Sequence, residues 1–111
     1  MKMGAKIVYN RYIPFGKEFL AINLFGVIFT KGRLTEVDIN HELIHTIQMR
    51  ELLYVPFYIV YVLEWMIRIV QYRGWVKGYS HISFEKEAYE NQRNMDYLKK
   101  RKHFSFVKYI L

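Results

Sequence analysis

His41 and His45 stand four residues apart, with Glu42 directly after the first, in the run His41-Glu42-Leu43-Ile44-His45. On a helix, positions four apart share a face, so both imidazoles can reach one ion at about 2.0–2.1 Å. Glu42 is turned by one residue, beside such an ion and not on it. A carboxylate there can take a proton from an attacking water and pass it to a leaving amine, which is the work of a general base in metal-assisted hydrolysis. The expected ion is zinc, and the expected reaction is hydrolysis of a peptide bond.

Two histidines do not complete a catalytic zinc site, which has three protein ligands and one open position. With no cysteine in the chain, the third must be His, Asp or Glu. Glu85 is the best candidate: it opens a later helix, and Ala88 one turn on lets that helix approach the metal helix closely. Glu87 points about 200° away from Glu85 and faces elsewhere. Gln48, one turn after His45 on the zinc face, can support a ligand or a substrate amide, or serve as an ordinary polar core residue. A transition-state hydrogen-bond donor is also needed, and Tyr79, His81 and Tyr89 are the candidates, among which the sequence does not choose.

The elements that position these residues are read from turn and capping signals. Thr35-Glu36-Val37-Asp38 is a capping box that starts a helix at Glu36, running to about Leu53 (35–53 with its cap). A second helix is expected over 55–73, with Pro56 in its first turn and Gly74 as the left-handed residue after its end. Trp75 to Ser80 reads as a loop. Ser83 is expected to cap a third helix from Phe84 to about Arg101 (83–101). Phe104 to Leu111 is apolar and aromatic but too short to classify. In the front third, 1–34, the runs Lys6 to Ile13 and Phe19 to Thr30 read as two or three strands broken at Pro14-Phe15-Gly16. Strands first and helices after predict one α+β domain over 1–111: a small antiparallel sheet followed by three helices. The strand at Gly26 to Thr30 is either an edge to which an extended peptide can add or an ordinary half-buried strand.

Composition bounds the rest. In 111 residues, 52% are hydrophobic and 18% aromatic, which excludes the disordered class and leaves apolar surface for a partner. Leu52 to Val70 is apolar on nearly every face, interrupted only by Glu64 and Arg68, which can pair. A central core helix is expected there, with homodimer contact or attachment to a membrane surface as alternatives. The net charge of +7 favours anionic partners. The basic run Lys99 to Lys102 reads as a solvated helix end, and nucleic acid is not expected, because the charge lacks the patterning of known modules. Met1 to Lys6 carries no apolar run of a secretory signal, so a cytoplasmic place, with or without membrane association, is expected.

With Glu85-Lys86-Glu87-Ala88-Tyr89 beside the His-Glu-x-x-His helix, the chain resembles the gluzincin metallopeptidases. These pair such a helix with a Glu from a later helix, in several branches within Glu-x-x-Ala-Asp. It is also similar to a group of small bacterial proteins of metallopeptidase type, in Phe29-Thr30-Lys31, His41 to Leu53 with Gln48 and Glu51, Pro56-Phe57-Tyr58, and Phe84 to Asn91. The resemblance implies a zincin-like core, His41, His45 and Glu85 as zinc ligands and Glu42 as base. Tyr89 stands where the family's Asp orients a zinc-bound imidazole. The rival expectation is a non-catalytic binding or adaptor protein at a membrane surface.

Overall fold

The computed structural model describes residues 6–14, 16 and 19–110. Phe15 at the expected break, the N-terminal stretch 1–5 and Leu111 lie outside the described residues. The fold is α+β: among the described residues there are a three-stranded mixed sheet, five α-helices and a short 3-10 helix at Ser105–Tyr109.

Strands β1 (Lys6–Tyr9), β2 (Ala21–Leu24) and β3 (Val27–Thr30) lie in the order β1-β3-β2. β2 and β3 form a hairpin whose turn residues Phe25 and Gly26 both have positive φ, the twist that suits a two-residue turn. β1 runs parallel to β3, so the sheet is mixed and not antiparallel as expected. The long connection after Tyr9 carries the chain to the far side of β3 before β2 begins. β3 is therefore the central strand, paired on both sides, and offers no edge to a peptide.

Helix α1 (Glu36–Glu51) starts at the capping box: Thr35 Oγ1 accepts from the Asp38 N–H, and the Asp38 carboxylate accepts from the Thr35 N–H at 2.9 Å. Leu53 and Tyr54, both at positive φ, turn the chain by 112° into α2 (Val55–Tyr72). The left-handed residue that ends α2 is Arg73, one position earlier than the expected Gly74, which is extended. The expected loop then forms a short helix α3 (Trp75–Ser80), seated against α2 where Gly78 leaves no room for a Cβ beside Ile69.

Helix α4 (Ser83–Asn91) takes in Ser83 as its first residue, so Ser83 is not the cap expected; Ile82 holds that position, and Glu64 of α2 accepts from both the N–H and the hydroxyl of Ser83, at 2.7 and 2.6 Å. It stops ten residues short of the expected Arg101. The amide of Asn40 donates to the carbonyls of Asn91, Gln92 and Asn94, drawing them out of helical pairing. A separate short helix, α5 (Tyr97–Lys100), follows. The core joins Met49, Phe57, Ile82, Phe84 and Phe106, so the unclassified tail closes it. Of α2 only Phe57 is fully buried, so α2 is not the central core helix expected.

Candidate metal centre

Packing of α4 across α1 brings His41, His45 and Glu85 together, at 6%, 5% and 3% exposure. The Nε2 atoms of the two histidines are 3.1 Å apart, and each lies 3.1 Å from an oxygen of Glu85. Donors held tetrahedrally at about 2.0–2.2 Å from one ion sit about 3.3 Å from each other. The triangle fits a single small cation.

Its electrostatics favour a cation too. The Gln48 amide nitrogen donates to the Phe84 carbonyl and the Glu87 carboxylate, so its oxygen must be the atom 2.7 Å from His45 Nδ1. His45 therefore donates from Nδ1 and presents a bare lone pair at Nε2, the arrangement that orients a metal-bound imidazole. His41 Nδ1 lies 2.9 Å from Gln92 Oε1, with the same result. Two lone pairs and a carboxylate then converge with no proton between them. Without an ion, protonation relieves this. Burial works against the charge on His45, but the Glu85 carboxylate outweighs it and carries the pKa to about 9. Burial likewise opposes the charge on Glu85, and His45 and His41 outweigh it, holding that carboxyl well below its usual range.

No family model, curated protein or solved structure matches the chain. The chemistry of the centre follows from its own atoms.

Glu42 stands beside the triangle, and its carboxylate has no hydrogen-bond or ion-pair partner among the described residues. Two cavities meet there. One, of about 270 Å³, reaches His41; the other, of about 390 Å³, reaches His45 and Glu85; Glu42 and Tyr79 line both. Burial raises the Glu42 pKa, offset only in part by His45 and His41. The backbone that carries Glu42 is fixed by Asn23 of β2, whose amide donates to the Glu42 carbonyl at 2.8 Å.

Of the three donor candidates, Tyr79 borders both cavities, and burial together with the Glu85 carboxylate raises its pKa strongly, so it stays protonated. Tyr89 is half exposed; its ring lies edge-on to His41 at 4.5 Å and borders the smaller cavity. His81 is not brought to the centre: it stacks on Tyr72 and bonds the Lys77 carbonyl.

Four residues that sequence reasoning missed complete the surroundings. Tyr61 donates to Glu85 Oε2 at 2.6 Å, fixing that carboxylate. Gln92 takes the orienting role that Tyr89 does not fill; it follows Glu85 and Ala88 at positions +7 and +4, a helical face that could have revealed it. Asn23 carries no comparable signal. Arg101, expected in a solvated run, instead pairs with Glu51 at 2.8 and 3.0 Å and with Glu87. Glu87 does face away from the His41, His45 and Glu85 triangle, yet it steadies Gln48 and through it His45. No buried side-chain nitrogen or oxygen among the described residues lacks a partner.

Proposed function

We propose that the chain is a zinc-dependent peptidase in which His41, His45 and Glu85 hold the ion and Glu42 is the general base. The observation that carries this reading is the unpaired Glu42 carboxylate, beside the three donors and bordering both cavities. A purely structural metal site has no use for such a group, and structural zinc sites are closed. Two imidazoles and one carboxylate suit zinc, and a His-Glu-x-x-His helix facing a Glu-bearing helix behind a small sheet resembles a zincin-like core.

When bound, zinc supplies a positive charge that polarises the scissile carbonyl and lowers the pKa of water to about 7. The remaining work falls to the chain. Glu42 takes a proton from the attacking water as its oxygen bonds to the carbonyl carbon. It delivers that proton to the amide nitrogen as the carbon–nitrogen bond breaks, giving one acid and one amine. Its upward-shifted pKa brings it nearer to neutrality, where a base is most effective. Tyr79, held protonated, donates to the oxygen on which charge develops. An extended peptide would lie along β2, whose Ala21 lines both cavities.

The test is Glu42→Gln. Metal content and fold should be unchanged, while cleavage of a broad peptide library should fall by about 10²–10⁴-fold. Wild type that holds zinc yet cleaves nothing in the library would hand the site to the non-catalytic adaptor reading, which the outward face of α2 favours.

A further inference from the structure

Polarity along α2 is reversed relative to an ordinary surface helix. Its two charged residues turn inward: Glu64 holds Ser83 and Arg68, and Arg68 also reaches Gln71 and the Ile110 carbonyl. On the outward side, Val55, Ile59, Leu63, Met66, Ile67 and Val70 are 55–79% exposed. At 3.6 residues per turn these six positions fall within an arc of about 120°, uninterrupted by charge. A continuous aliphatic stripe of this kind marks a surface that something covers.

We propose that the stripe docks in the plane of an anionic lipid surface. Its size argues against a second copy: an 18-residue helix is about 27 Å long, and a stripe one helix wide buries on the order of 300 Å². A stable dimer buries about 800 Å² on each partner. Its length and composition fit lying on a bilayer, since no single helix among the described residues is long and apolar enough to cross one. Charge selects the lipid: the chain carries +7, and the C-terminal end of the stripe is followed by exposed Arg73 and, on α3, exposed Lys77. Tyr72 and Trp75, exposed at the same end, are the ring types that settle at headgroup level. Val62 and Trp75 also line the larger cavity, so docking brings its rim to the lipid. Docking does not depend on the metal chemistry.

The experiment is flotation of the full chain with vesicles of phosphatidylcholine alone, or with about one-quarter phosphatidylglycerol. Wild type should float with the anionic vesicles and much less with the neutral ones. The pair Leu63→Glu and Met66→Glu should abolish flotation. Arg73→Glu and Lys77→Glu should weaken it about fivefold or more per residue, with a steep dependence on salt. Unchanged circular dichroism and thermal midpoint in each variant separate lost docking from lost fold. Failure of wild type to float, equal flotation with both vesicles, or undiminished flotation of the Leu63/Met66 variant would overturn the proposal. A wild-type dimer in light scattering that the same variant dissolves would assign the stripe to a second copy instead.

Discussion

The seam between α1 and α4 and the outward face of α2 depart from the ordinary layout of a small domain in opposite directions. Along the seam, His41, His45, Gln48, Glu85 and Glu87 are buried, and each finds a partner. On α2, aliphatic side chains are exposed without one, while Glu64 and Arg68 point inward. Burying a polar group is costly unless its bonds are met, and exposing apolar surface is tolerated only in modest patches. The seam satisfies its own groups and leaves room for one positive charge. The outward α2 face is covered by nothing among the described residues. The first is what a site for a small ion requires, the second what a site for an extended surface requires.

Several variants would break or sharpen this contrast. The largest effect is expected at the seam itself: Glu85→Gln removes the anionic member of the proposed ligand set, and metal affinity should fall by about 10³-fold or more, beyond the 10–100-fold that a lost supporting partner costs. Titration against a chelating competitor would read it, and an affinity within tenfold of wild type would remove Glu85 from the ligand set.

Next comes Arg101→Met, which leaves Glu51 and Glu87 buried without their cation. A loss of about 3–5 kcal/mol in urea unfolding is expected, because a buried charge is left uncompensated. Gln92→Ala, by contrast, should leave the fold nearly intact and lower metal affinity by about 10–100-fold, since it frees His41 to rotate. Equal loss of stability and affinity in Gln92→Ala would mean that it acts on packing and not on the imidazole.

Acidity provides a graded test. In the metal-free chain the pKa of His45 rises from its ordinary 6.5 to about 9, so its proton adds stability that is complete below 6.5 and lost as pH rises through about 9. An ion must displace that proton. Apparent metal affinity should therefore increase by up to about tenfold per pH unit across that window, and the metal should leave on acidification. Isothermal titration in buffers of different ionisation enthalpy would count the protons released. The smallest effect belongs to the other region: Leu63→Gln should change stability by no more than about 0.5 kcal/mol, because its side chain already faces water. A clear loss on melting would show that α2 is covered in solution.

What the sequence made legible is local. The capping box at Thr35, the pairing of His41 with His45 and the Glu64–Arg68 pair all rest on spacings of three or four residues, which helix geometry alone settles. Glu85 was within reach because its own helix face, with Ala88, is also a local pattern. The parallel partner of β1, the early end of α4 and the burial of Arg101 were not legible, since each depends on contacts some 20 to 50 positions away that only the assembled chain creates. α2 defeats pattern reading for a further reason. A helix that is apolar on nearly every side does not say which side is covered.

The spacing of the proposed ligands along the chain also bears on when such a centre can form. His41 and His45 are synthesised together, but Glu85 follows 44 positions after His41, and Arg101 comes 50 after Glu51. On a chain emerging from the ribosome, the two imidazoles are thus a bare pair long before their carboxylate exists. Pairings of such separation form late, because the loop between them must close first. Loading with metal is therefore expected to follow synthesis and folding, with selection among cations left to the finished triangle.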